Sequence, residues 1–275
     1  MTEQGHAEPT DELRRAAART PHLGEHLQKF KQITGEFPTL IEEADGEYES
    51  DRPNVLYPVG GPIFCHIYGD IGQDTKYYTI EPELDESEQA IYSRVKDRLL
   101  KRSVTKPAPT EQSEYDDRIE ELLEESVEVT DNPGSGAIGR VRETLTGRIP
   151  VSEQTFEHIR YRLNRDIVGF GPLEPVMRDP ANEDIHVIGP SQCMVDHSVY
   201  GMLETTVDFG DSESFDNWLR NMGERIGDPV SDKDPIVDST LPDGSRINII
   251  YSDDVSLKGP SLTIRQGDDV PLSVF

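Results

Sequence analysis

Glycine and proline divide the last part of this chain into strand-length apolar runs, and that punctuation constrains the fold more than any other feature. From Asp166 the chain reads DIVGFGPLEPVMRDPANEDIHVIGP; after a helix-like stretch come PIVDSTLPDGSRINIIYSDDVSLKGPSLTIRQ and a final PLSVF. Gly169, Gly171 and Pro172 make a tight turn, with Pro172 at the first position of a short helix that Asp179-Pro180 ends. Ile185, Val187 and Ile188 then form a strand that stops at Gly189-Pro190, and Met194 to Asp196 with Leu203 to Val207 predict a hairpin around Val199-Tyr-Gly. The segment Asp211 to Ile226 is the clearest helix: Phe215, Trp218, Leu219, Met222 and Ile226 share one face, and Gly227 terminates it. Pro242-Asp243-Gly244 is a turn by its chemistry. It feeds a strand from Arg246 to Tyr251, with Leu262 to Arg265 as the partner strand. The order β-β-β-α-β-β is that of an α+β domain whose sheet is covered on one face.

The region before Asp166 has a different texture. Residues 1–20 are polar and hold at most a loose helix, and Pro21 to Phe30 predicts a short one with Leu23, Leu27 and Phe30 on one side. IEEADGEYESDRPN (Ile41 to Asn54) is acidic and turn-rich, so a linker or solvated loop is expected there. VLYPVGGPIFCHIYGD and TKYYTIEP carry the alternation of a strand hairpin. Asp85 or Ser87 can cap a following helix whose stripe is Ala90, Ile91, Val95, Leu99 and Leu100. A break at Pro107 and Pro109 leads to a second helix around Glu114 to Val127, with Ile119, Leu122, Leu123 and Val127 as its stripe. A loop through Gly136 precedes a helix from Ser152 to Arg165. These readings divide the chain into a flexible acidic and helical leader (1–52), a small β-hairpin plus helical domain (53–165) and an antiparallel-sheet domain with one amphipathic helix (166–275).

Charge narrows the partners. Asp plus Glu number 54 against 27 Lys plus Arg, a formal net charge of -27. Nucleic acid and anionic lipid are disfavoured, because counterion release needs a basic patch. Such acidity keeps a chain soluble at the cost of self-repulsion, which concentrated salt screens. It fits a salty cytoplasm, as does the preference for Arg over Lys. The 2 cysteines, Cys65 and Cys193, are too few for a disulfide scaffold. The N-terminal MTEQGHAEPTDELRR has no apolar run of the signal-peptide kind, and no stretch approaches the ~18 apolar residues of a membrane span. The expectation is a soluble, cytoplasmic chain without direct membrane insertion.

Four motifs carry a resemblance: GFGPLEPVMRDP (Gly169 to Pro180), IHVIGP (Ile185 to Pro190), LPDGSRINI (Leu241 to Ile249) and GPSLTIRQ (Gly259 to Gln266). Their content, order and spacing resemble the N-terminal part of the secretion ATPase superfamily, which includes the type II secretion and type IV pilus assembly motors. YPVGGPIFCHIYGD (Tyr57 to Asp70) and KYYTIEPELDESE (Lys76 to Glu88) look like the archaeal pilus and archaellum members in particular. The resemblance covers residues 53 to 275 and implies a PAS-like fold for the last domain. In that family a motor domain carrying the Walker motifs follows the position of Phe275. The expectation is therefore a chain without its motor domain, meeting ATP and Mg only through a partner motor domain. The resemblance also implies contributions to hexamer contacts, docking onto a membrane platform protein that would hold the chain at the membrane, and no nucleic-acid partner. The alternative is a stand-alone regulatory interaction module that binds a complete secretion ATPase.

Candidate site residues are Arg246 and Arg265, which alternate with apolar residues in two strands expected to pair. In a period-2 strand Arg246 shares a face with Asn248 and Ile250, opposite Ile247 and Ile249. Each arginine either pairs with a surface carboxylate, a weak contact, or, as the resemblance implies, faces the nucleotide of the following domain. A guanidinium suits the second task because it is always charged and grips phosphate oxygens in a fixed fork.

No catalytic residue is assigned. The chain contains no G-x-x-x-x-G-K-[ST] loop; Gly134-Ser-Gly-Ala-Ile-Gly-Arg140 has arginine where lysine is needed and reads as a loop. No metal site is expected. Cys65, His66, Cys193 and His197 match no common zinc spacing, and adjacent strand residues such as Cys65 and His66 point to opposite faces. Asp228, Asp232, Asp234 and Asp238 lack the spacing of a calcium loop.

Overall fold

The structure, a computed structural model, describes residues 5–103, 112–131, 144–251 and 259–267. The chain adopts the expected α+β class, but it divides differently from the sequence reading. One compact unit joins Met1–Glu81 to Pro172–Phe275; the other is Pro82–Gly171. The boundaries expected at 53 and 166 do not follow this packing, because the strands that open the second expected domain pair into the same sheet as those of the third.

In the first unit the strands are β1 (Gly5–His6), β2 (Phe37–Leu40), β3 (Asn54–Gly60), β4 (Ile63–Tyr68), β5 (Lys76–Ile80), β8 (Asn182–Ile188), β9 (Gln192–His197), β10 (Gly201–Thr205), β11 (Ile236–Thr240), β12 (Arg246–Ile250) and β13 (Ser261–Arg265). They form one 11-stranded sheet in the order β1-β2-β3-β4-β5-β10-β9-β8-β13-β12-β11. Pairing is antiparallel except at β2–β3 and β5–β10. β11 is one strand more than the sequence predicts. Its polar IVDST run gives only a weak alternation, and as an edge strand it buries one residue, Val237.

Two helices precede β2 where a leader was expected. α1 (Asp11–Arg19) is capped by the Thr10 hydroxyl, which accepts the Leu13 N–H at 3.2 Å. α2 (Pro21–Thr34) starts on a proline and ends at Gly35, whose left-handed φ of 83° lets the chain turn into β2. Leu13, Leu23 and Leu27 pack with Leu56 and Ile80 in one buried cluster. The leader is ordered because those leucines cover one face of β3 and β5. The acidic stretch after β2 contains a single turn, Gly46–Tyr48.

The other sheet face is buried along its length. Val55, Cys65, Ile67 and Tyr77 lie on it, as do Ile185, Val187, Val195, Ile247, Ile249, Leu262 and Ile264. Over it come the short helix α6 (Glu174–Met177) and α7 (Ser212–Arg225), which is capped by Asp211 and buries Phe215, Leu219 and Met222. β3, β4 and β5 are thus covered on both faces, whereas β11, β12 and β13 alternate buried with open positions.

The second unit holds α3 (Glu86–Ser103), α4 (Gln112–Ser126) and α5 (Glu153–Leu163), with a two-stranded parallel pair of β6 (Val127–Val129) and β7 (Ile149–Val151) that the sequence reading lacks. Val95, Leu99, Leu123, Ile149, Ile159 and Leu163 form its core. Asp85 caps α3 as expected: it accepts the Glu88 N–H at 2.8 Å while Glu88 reaches back to the Asp85 N–H. Glu88 also accepts from His158 on α5 at 3.1 Å. α5 ends in a π-helical turn, Asn164–Val168, where the Asp166 carboxylate accepts from Tyr92 and Arg162. The expected Pro107–Pro109 break, the Gly134–Arg140 loop and the closing PLSVF lie outside the described residues.

Candidate functional site

β12 and β13 pair in the register that sets Arg246 directly opposite Arg265. β8 then places Asp184 opposite Arg265, and Asp196 of β9 lies opposite Asp184. One row of charges therefore crosses the sheet on its open face. Arg246 is 67% exposed and donates through Nη2 to Asp238 on β11 at 3.0 Å. Arg265 is 73% exposed, and both its Nε and Nη2 donate to the two Asp184 oxygens at 2.9 Å.

The sequence placed the two arginines in strands expected to pair, with Arg246 on the face of Asn248 and Ile250, and the structure brings them side by side. It adds what the sequence did not supply, a specific carboxylate for each. The two pairs differ. Asp184 is only 16% exposed, and the Arg265 hydrogen bonds hold its carboxyl below the usual range. The fork is fixed because both guanidinium bonds run to one carboxylate. Asp238 is 61% exposed and makes a single bond, so Arg246 is the freer of the two. Two guanidiniums on adjacent strands, a Cβ separation of roughly 5 Å, can bind two neighbouring oxyanions if the carboxylates share or release them.

The next row on this face is polar, with Asn248, Thr263 and His186 in register, and the row beyond it carries Ile236, Ile250 and Ile188. Ile236 is an exposed large apolar residue. The open face thus grades from charged to apolar across the strands.

A second polar constellation lies on the buried face. Asp179, 1% exposed, accepts through Oδ2 from the hydroxyls of Tyr57 and Tyr77, both at 2.7 Å, and through Oδ1 from the Ala181 N–H at 2.9 Å. The Val199 and Tyr200 N–H groups donate to His197 Nδ1, so the ring proton sits on Nε2 and is donated to the Tyr57 oxygen at 3.0 Å. Burial pushes both phenols well above their ordinary range and the Cys65 thiol up with them; it pushes His197 down. A cavity of about 200 Å³ lined by Glu43, Tyr57, Asp179 and Ser198 reaches this cluster. The sequence reading took Asp179 only as a helix end. The partners come from three distant strands, and the sole local signal was an acid-proline pair inside a motif.

A third set lies on the face covered by α2. His26 Nε2 meets His66 Nδ1 at 2.9 Å, and His66 Nε2 meets Asn54 Oδ1 at 2.9 Å. Desolvation drops His26 to about 4 and pushes His66 well down, so both are neutral at pH 7. Cys65 and His66 do point to opposite faces, and both are buried. Among the described residues no group of His, Cys, Asp or Glu is placed to hold a metal ion. The loop after β2 borders a larger groove of about 590 Å³, whose walls include Glu12, Glu42, Glu43 and Asp45. Among the described residues no helix is long and apolar enough to cross a membrane.

Comparison with known proteins gives relatives without an assigned activity. No protein-family model matches the chain. An uncharacterized protein of Methanocaldococcus jannaschii is 42% identical over 266 residues, covering 96% of this chain and 48% of that protein. The chain thus spans about half the length of that relative. A second uncharacterized protein of the same organism is 26% identical over 235 residues, 85% of this chain and 86% of its own length. Among solved structures, the VirB11 ATPase of the Brucella suis type IV secretion system aligns with 41% of this chain and 32% of its own, at 20% identity and a TM-score of 0.33.

Proposed function

We propose that this chain is the non-hydrolytic N-terminal region of a secretion or type IV pilus assembly ATPase, and that Arg246 and Arg265 face the phosphates of a nucleotide held by a motor domain. The observation that carries the reading is the side-by-side placement of the two guanidiniums on the open sheet face, each within reach of one carboxylate. Four motifs in family order support it.

The residues fit a phosphate ligand. Both arginines are exposed, and Arg265 keeps Nη1 outside its bonds to Asp184. In the resting chain Asp184 and Asp238 neutralise them, which lowers the cost of two cations on adjacent strands. When the sheet closes on a motor domain, Arg265, oriented by Asp184 through Nε and Nη2, offers Nη1 to a phosphate while Arg246, held by one bond, swings to a second oxygen. ATP and Mg supply the phosphoryl chemistry; this chain contributes charge and position. Hexamer contacts, docking on a membrane platform protein and a place at the membrane through that protein belong to the same reading.

The test is a chimera in which this chain replaces the matching half of the 42% identical relative. ATP turnover that falls at least about tenfold in Arg265→Ala and Arg246→Ala, with folding intact, supports the proposal. Absence of ATP hydrolysis from both the chimera and the relative contradicts it.

A further inference from the structure

The 11-stranded sheet narrows at its middle, where its two halves meet. β3–β4 pairs through six residues and β4–β5 and β12–β13 through five each. β5 and β10 share only two, Lys76 with Glu204 and Tyr77 with Thr205, as few as the short pairings of β1 and β2 near the sheet's edge. Their parallel arrangement is also slightly less stable per residue than an antiparallel one. Beyond the strands the seam is extended by the Thr206 N–H to the Tyr77 carbonyl at 3.0 Å and by a Thr79–Thr206 hydroxyl contact at 3.1 Å. The Lys76–Glu204 ion pair across it, 3.6 Å and exposed, adds little.

The Asp179 cluster bridges this seam. Tyr57 and Tyr77 come from the β1–β5 side. Asp179 belongs to the β8–β13 side: its carbonyl accepts from the Asn182 N–H and the Gln266 amide, and its carboxylate from the Ala181 N–H. His197, on β9, completes the bridge by donating to Tyr57. A buried carboxylate is tolerated only while its donors stay in place, so this cluster has a strong preference between joined and parted arrangements. Asp179 also leads into β8, the strand that carries Asp184, the partner of Arg265.

We propose that the β5–β10 seam is a conformational latch closed by Asp179, across which the β1–β5 half with α1 and α2 and the β8–β13 half with α7 part and rejoin as two cooperative bodies. Sub-global opening along a weak boundary is a general property of folded chains. The Tyr200 hydroxyl also crosses the boundary to the Tyr48 carbonyl at 2.9 Å and the Thr79 N–H to the Thr206 hydroxyl at 3.0 Å, but the fully buried fastening is the Asp179 cluster, and it decides when the seam opens.

Native-state amide hydrogen exchange on the whole chain, read by mass spectrometry, tests this. Asp179→Asn should speed exchange in β5 and β10 by about tenfold or more while β12 and β13 change by less than about twofold. Tyr77→Phe keeps the carboxylate and removes one donor, so it should give the same ranking with smaller amplitude; it also serves if Asp179→Asn does not fold. A Lys76→Cys/Glu204→Cys pair, in direct register across the seam, should restore slow exchange when oxidised; the native Cys65 and Cys193 are buried. Equal acceleration in all strands would mean that the cluster is ordinary core stabilisation, and unchanged seam amides in both variants would also overturn the latch.

Discussion

Tyr77 and Arg265 lie on opposite faces of one sheet, and each meets a carboxylate at hydrogen-bond distance, 2.7 Å to Asp179 and 2.9 Å to Asp184. The resemblance ends with solvent. Asp179 is 1% exposed, so each bond to it stands in for hydration, and losing a partner leaves a desolvated group unpaired. Arg265 is 73% exposed, so water can hydrate its guanidinium in place of Asp184, which is itself only 16% exposed. The same chemistry is therefore structural on one face and available for a partner on the other. The cover of the sheet makes the difference: α6 and α7 lie over the buried face, and the row through Arg246 and Arg265 stays open.

The comparison breaks first at Asp179. Asp179→Ala leaves two buried tyrosine hydroxyls without an acceptor and should cost about 3 kcal/mol or more, read by denaturant unfolding. A loss under about 1 kcal/mol would mean that water reaches the cluster well enough to replace the carboxylate. Tyr77→Phe removes one bond to the charged group and should cost about 1.5–3 kcal/mol by the same measurement.

Acid sharpens the contrast between buried and open groups. His26 falls from 6.5 to about 4 in the folded chain, and His66 and His197 are depressed in the same direction. The unfolded chain binds these protons first, so the stability tied to neutral histidine is complete above pH 6.5 and is lost as pH falls toward 4. Melting temperature should therefore drop between pH 7 and pH 5, and His26→Gln should flatten that slope. At the alkaline end Tyr57 and Tyr77, raised above 10.0, hold stability that is present below pH 10 and lost above it.

Salt acts on the surface rather than the core. With a net charge of -27, screening should raise the melting temperature by a few degrees between dilute buffer and molar KCl. A melting temperature independent of salt would show that self-repulsion is not a significant term in this fold.

Local pattern made much of the fold legible. α7 was visible in Phe215, Leu219 and Met222, and the β12–β13 pairing in the alternation around Arg246 and Arg265, because both signals lie within a few residues. α1 and the ordered leader were not, since Leu13 and Leu23 gain their burial from Leu56 and Ile80, far along the chain. The joining of β5 to β10 was hidden for the same reason: the partners are separated by the whole of the second unit. At the candidate site the two arginines could be read from strand period, but Asp184 and Asp238 could not be told from the many other acids without the register.

The smallest expected effect on stability tests the central claim most directly. Arg246→Ala, Arg265→Ala and the double variant should each move the melting temperature of the chain by no more than about 2 °C. If the proposal holds, then in a chimera with the remaining half of the longer relative the same changes should lower ATP turnover by about one to several orders of magnitude, as for a lost phosphate-gripping arginine. Melting temperature and turnover measured on the same four proteins, parent included, should therefore separate, with folding kept and turnover lost. Variants that unfold while turnover per folded molecule is preserved would contradict the account and make the two arginines part of the scaffold.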